Sequence, residues 1–280
     1  MATNKPNERA LALTVKEQFP VLAYDPTELT ELIRDNLGGM MPKLTRISWP
    51  TGGALQFKVS TDEGEKLTPT LTGLIVNHVP NRLFWEESFE ESGGGQIPDC
   101  SSGDGMVGIG TPWHRPKDII HPSLALDPDS QGPFSCNACP LAKFRGDDRP
   151  LCRETHPIFL IPKTTGEDDV NLLPIVVSVP PSSLGVWSTF AGQLLMKGIS
   201  FRRAVVEIGL EVDKGGPRGN IDYSKMKIKR VGLLSMEEYA FMREYANSLA
   251  PLFERFAQRA VETVLTEDAQ AEEPVASNPR

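Results

Sequence analysis

A chain of 280 residues, 39% hydrophobic and 24% charged, has the composition of a globular protein with an ample core, in one large domain or two small ones. Its formal charge of −8 excludes nucleic-acid binding through net charge alone, and no stretch reaches membrane-spanning length, so no membrane partner is expected. The polar start, Met1 to Leu13, lacks the apolar run of a signal peptide, which points to a cytoplasmic protein with reduced thiols.

Taken in chain order, residues 1–20 read as disordered and 21–261 as one domain. Asp25-Pro26-Thr27-Glu28 is a helix start, with Asp25 as N-cap and Pro26 in the first turn, and Gly38-Gly39 ends that helix after Leu37. Strand patterns follow at 44–49, 54–60, 71–78 and 83–87, so closely spaced that an antiparallel meander or barrel is expected. Periodicity is lost over 90–157. So long an irregular insertion needs something to order it, and a bound metal ion would do so. Strands resume at 158–161 and 172–179, and a helix capped by Ser182 or Ser183 turns Val186, Trp187, Phe190, Leu194 and Leu195 inward before Gly198. Clean alternation over 204–212 and 223–231, around the glycine-rich run 214–219, predicts a β-hairpin. Ser235-Met236-Glu237-Glu238 is a capping box that opens a last helix, which Pro251 should break. The fold class expected is α+β and β-rich, an antiparallel barrel with a long insertion and flanking helices.

All four cysteines fall in the irregular insertion: Cys100, the pair Cys136-x-x-Cys139, and Cys152. Four thiolates with one close pair suit tetrahedral zinc, and with every cysteine used as a ligand the site is closed and structural. Disulfides, an iron–sulfur cluster and unligated thiols are the other readings. The deaminase signature fails: none of the four histidines has Glu two residues on, and Cys136 follows Ser135. Phosphate-loop, serine-elbow and zincin motifs are absent too, so no catalytic residues are assigned.

The stretch 201–231 holds eight Lys and Arg against four Asp and Glu, whereas 262–280 holds five acidic residues against Arg280. Period two places Tyr223, Lys225, Lys227 and Lys229 on one strand face, with ammonium groups about 7 Å apart beside an aromatic ring. That is the pattern of a track for single-stranded nucleic acid, cations for phosphates and a ring for a base. Arg202, Arg203 and Arg218 extend it, and Trp113, in the insertion, is a candidate stacking platform. The acidic end, 262–280, reads as a disordered tail that docks partner proteins.

The runs Pro98-Asp99-Cys100-Ser101-Ser102-Gly103-Asp104-Gly105, Cys136-x-x-Cys139-Pro140-Leu141-Ala142, Leu173-Pro174, Pro180-Pro181-Ser182-Ser183 and Tyr223-Ser224-Lys225 resemble a family of bacteriophage and mobile-element proteins, over about residues 70–250. More loosely, the chain resembles phage single-stranded DNA-binding proteins. That resemblance implies an OB-fold barrel, a zinc-bearing insertion and an acidic tail that recruits replication or recombination proteins. A largely sequence-nonspecific single-stranded DNA-binding protein is therefore expected, with a non-catalytic interaction or virion protein carrying a structural metal site as the alternative.

Overall fold

The computed structural model describes residues 15–38, 40, 42–47, 49–50, 53–61, 64–85, 98–110, 132–144, 150–164, 171–214 and 222–254. Part of the stretch expected to be disordered is structured: α1 (Val15–Gln18) is helical and Phe19 is wholly buried. Helix α2 (Pro26–Leu37) starts where the capping pattern predicts. The Asp25 carboxylate accepts the N–H groups of Thr27 and Glu28, and Gly38 closes the helix in the left-handed region at φ 53°.

The described residues form strands β1 (Arg46–Ile47), β2 (Phe57–Thr61), β3 (Gly64–Thr68), β4 (Thr70–His78), β5 (Asn81–Phe84), β6 (Cys100–Ser102), β7 (Val107–Gly110), β8 (Phe134–Ser135), β9 (Arg153–Pro162), β10 (Ile175–Val179), β11 (Ala204–Asp213) and β12 (Tyr223–Leu233). Two longer helices, α3 (Leu184–Met196) and α4 (Met236–Ser248), lie between β10 and β11 and after β12. A short helical stretch at 250–254 follows α4, so the chain does break before Pro251. Fold class is therefore mixed α+β, with a mostly antiparallel sheet.

Among the described residues ten strands form one sheet in the order β12-β11-β4-β9-β5-β6-β7-β8, with β10 on the other edge of β9 and β1 on β10, and of these pairs only β1 and β10 run parallel. β2 and β3 make a separate hairpin, and β3 falls between the strand patterns expected at 54–60 and 71–78. β9 is shared along its length. Ile158 to Pro162 pair with β4, and Arg153 to Thr155 pair with β5, which continues β4 beyond Val79-Pro80.

Alternation along these strands feeds two cores. Leu71, Ile75, Ile158, Leu160, Ile175, Val177, Val179, Val206, Ile208 and Met226 pack with Trp187, Phe190 and Leu194 of α3 and with Phe57. Leu74, Val76, Phe159, Ile161, Val176 and Val205 point the other way, under Leu29 of α2 and Met242 and Tyr245 of α4. Leu195, expected in the core, is exposed at the end of α3.

Among the described residues no hydrogen-bonded ladder closes the sheet between β10 and β12. The seam is bridged by side chains instead. The Met226 N–H donates to Ser183 Oγ at 2.9 Å, the Trp49 indole donates to the Ser224 carbonyl at 3.0 Å, and Ser224 Oγ donates to the Ala54 carbonyl at 2.7 Å. These bonds satisfy edge groups that would otherwise be buried unpaired. Ser183→Ala strands the buried Met226 N–H, so urea denaturation should show a loss of about 1–3 kcal/mol. An unchanged midpoint would mean that the seam does not depend on this hydroxyl.

Candidate metal centre

The irregular insertion of the sequence reading contains order of its own: β6, β7 and β8 extend the sheet outward from β5, in strands of two to four residues. The β6–β7 turn is closed by Asp104, whose Oδ1 accepts Ser102 Oγ–H at 3.0 Å and the N–H groups of Met106 and Val107 at 2.8 and 2.9 Å. The two backbone bonds hold its carboxyl below the ordinary range, Val107's the more strongly.

Period two on this small sheet sets one face. Arg82 and Phe84 on β5 stand opposite Ser102 and Cys100 on β6, and Arg82 also faces Glu154 on β9, two residues beyond Cys152. The turn Cys136 to Cys139, begun by the Cys136 N–H bond to the Met106 carbonyl, folds over that face. Cys100, Cys136, Cys139 and Cys152 thus line one cavity with Arg82, Phe84, Gly108, Phe134 and Leu141. Gly108 makes room: a Cβ there would lie 3.0 Å from Cys100 Sγ and 3.6 Å from Cys136 Sγ. All four predicted ligands are brought together.

As they stand the four side chains are free thiols, and among the described residues no group of three or more His, Cys, Asp or Glu side chains is arranged to hold a metal ion. Shared lining and ligand geometry are different conditions. The sulfurs are neighbours around one void, and a zinc ion would have to draw each in to about 2.3 Å. Four sulfurs are donors of the kind zinc accepts. Burial first, and then the neighbouring sulfurs, push the Cys100 and Cys152 thiols up to about 12. Burial raises Cys139 as well. Such thiols are protonated at neutral pH, so their use as ligands requires a cation that displaces the protons.

The lysine row has a different setting from the one expected. Tyr223, Lys225, Lys227 and Lys229 do share a face, but β11 sets an acid against most of them: Asp213 opposite Tyr223, Glu211 opposite Lys225 and Glu207 opposite Lys229. Lys225 Nζ is 3.0 Å from Asp213 Oδ2, Tyr223 donates its hydroxyl to the same oxygen at 3.0 Å, and Lys229 Nζ is 2.7 Å from Glu207 Oε1. Lys227 faces Gly209 and is exposed. The row is a charge-alternating face with no net cationic ridge. Arg202 and Arg203 serve the backbone: Arg202 Nε donates to the Val76 carbonyl at 2.7 Å and Arg203 Nε to the Leu234 carbonyl at 3.0 Å. Trp113, Arg218 and the tail 262–280 lie outside the described residues.

One cluster escaped the sequence reading. His78 Nδ1 lies 2.7 Å from His156 Nε2, and the His78 ring packs against Trp187 and Phe201 at centroid distances of 5.1 and 4.8 Å. The two histidines are 78 residues apart and meet only through β4–β9 pairing, which no local pattern announces. Burial lowers both to about 4, helped at His78 by the Arg202 charge and at His156 by His78.

No protein-family model, no curated protein and no solved structure matches the chain. No helix among the described residues is long and apolar enough to cross a membrane.

Two outcomes are expected. Gly108→Ala crowds Cys100 Sγ, so denaturant titration should show a loss of about 1–3 kcal/mol. Gly192→Ala, at a helical site with nothing within 4 Å, should cost nothing, and equal effects would remove the role given to Gly108. The histidine pair is neutral when folded, whereas the unfolded chain takes up protons below about 6.5. Its contribution is therefore complete above pH 6.5, declines as pH falls toward 4 and is flat below. Stability measured against pH should fall less steeply across that window in His156→Asn than in the parent protein.

Proposed function

We propose that the chain is a non-catalytic single-stranded DNA-binding protein of OB-like build, stabilised by zinc held between Cys100, Cys136, Cys139 and Cys152, serving phage or mobile-element replication or recombination. The observation that carries this reading is the strand connectivity. β4, β9 and β10 form a meander, α3 follows, and β11 returns to pair with β4 before the β11–β12 hairpin. This is the order of a partly open, five-stranded Greek-key barrel, and residues from all five strands meet in the core that α3 seals. The side-chain seam between β10 and β12 stands where such a barrel is open.

In barrels of this kind oligonucleotides bind across the second and third strands and on the loops joining the first strand to the second and the fourth to the fifth. Here the outward residues of β9 and β10, Phe159, Ile161 and Val176, are buried under α2 and α4, so binding falls to the loops. The first loop is the thiol-bearing stretch 79–152, which includes Trp113; the second is 214–222, with Lys214 and Arg218 among glycines. Zinc in a closed four-thiolate site supplies no chemistry beyond ordering the first loop. The tail 262–280 recruits protein partners. A second reading, a protein-interaction module with the same metal site, is favoured by the charge-countered lysine face.

Fluorescence anisotropy with oligo-dT at two salt concentrations tests the proposal, because phosphate contacts release counterions and make binding fall steeply with salt. Reversing the loop charges in Lys214→Glu with Arg218→Glu should weaken binding by about tenfold or more. Lys225→Ala and Lys229→Ala, already countered by Asp213 and Glu207, should change it by less than about threefold. No binding at low salt would reject this reading in favour of the interaction module.

A further inference from the structure

Four thiolates around one divalent zinc ion leave negative charge in excess, and here they do so in a cavity where Cys136 and Cys139 are buried and Cys100 and Cys152 partly so. The cation in the cavity lining is Arg82. It sits on β5 between two ladders, opposite Ser102 on β6 and Glu154 on β9, so its backbone is fixed from both sides. Its Nη2 is held by Glu154 Oε2 at 2.5 Å, which orients the guanidinium plane. Its Nε is buried and is the one buried side-chain nitrogen or oxygen among the described residues with no hydrogen-bond partner. A buried guanidinium N–H without an acceptor costs stability unless something completes it, and its cavity is shared by four sulfurs and by Ser101 and Ser102, of which the Ser102 hydroxyl is already engaged with Asp104.

We infer that Arg82 is a positioning residue of the metal centre: its Nε–H donates to a ligating thiolate, and its charge offsets that of the loaded cage. This rests on the zinc reading above. Glu154 aims the guanidinium, and Arg82 receives its missing acceptor when a cysteine becomes a thiolate. Hydrogen bonds to ligating atoms from such outer groups commonly govern metal affinity by about 10–100-fold.

Zinc affinity by chelator competition, together with the thiolate-to-metal charge-transfer band of the cobalt(II)-loaded full-length protein, tests this. Arg82→Met should raise the zinc dissociation constant about 10–100-fold and move the cobalt band to longer wavelength, because an undonated thiolate lone pair lies higher in energy. Glu154→Gln keeps the guanidinium and should cost less. Arg82→Lys keeps a charge without the Nε–H fork, so it should fall between parent and Met variant, with a shifted band; it carries the test where Arg82→Met fails to fold. Parental affinity and an unmoved band in the Arg82 variants would overturn the inference, as would Glu154→Gln matching Arg82→Met, which would reduce the pair to a structural ion pair. A parent protein that takes up neither zinc nor cobalt defeats the zinc reading itself and this inference with it, an outcome distinct from loading that is indifferent to Arg82.

Discussion

The β9 ladder is the constraint from which the other features follow. Its Ile158–Ile161 segment is wholly buried and divides the two cores, since alternate residues face opposite sides of the sheet. Its Arg153–Thr155 segment pairs with β5, which places Cys152 and Glu154 beside Arg82, Phe84 and Cys100. β4 and β5 run along the same edge of β9, broken at Val79-Pro80, so the thiol-bearing sheet inherits its register from the core of the body. The same pairing brings His78 to His156.

Electrostatics divide the molecule into two regimes. Around the thiols, low exposure disfavours ionisation, and the nearby guanidinium is tied to a carboxylate. On the β11–β12 face, exposure and alternating signs leave ion pairs that contribute little to stability. The Lys225 bond and the Tyr223 hydroxyl hold the Asp213 carboxyl below its ordinary range and link β11 to β12 at that end of the hairpin.

Where a feature rests on neighbours in sequence, it was legible. Asp25 caps α2, and the Ser235 and Glu238 side chains complete a reciprocal capping box, both from residues within three positions of each other. The alternation of β11 and β12 was equally plain, and the cysteine spacing predicted their convergence. What depended on the neighbouring strand was not legible. The lysine row was assigned to the correct face, yet Glu207, Glu211 and Asp213 share it by the same period-two rule once β11 is placed alongside. Arg202 and Arg203 look like free cations until the Val76 and Leu234 carbonyls come within reach. β6, β7 and β8 are too short and too rich in Ser, Gly and Cys to show periodicity, and β3 hides behind the charges of Glu65 and Lys66.

The seam between β10 and β12 is filled by chain that precedes the meander. β1 occupies the free edge of β10, Trp49 reaches across to β12, and Ile47 and Phe57 sit in one core while Phe19, Leu29 and Leu44 sit in the other. The early residues are thus a wedge and a roof for strands made later in synthesis. A fragment cut to begin at β4 would keep β4 to β12 and every thiol, but it would bare apolar surface on both sides of the sheet at once.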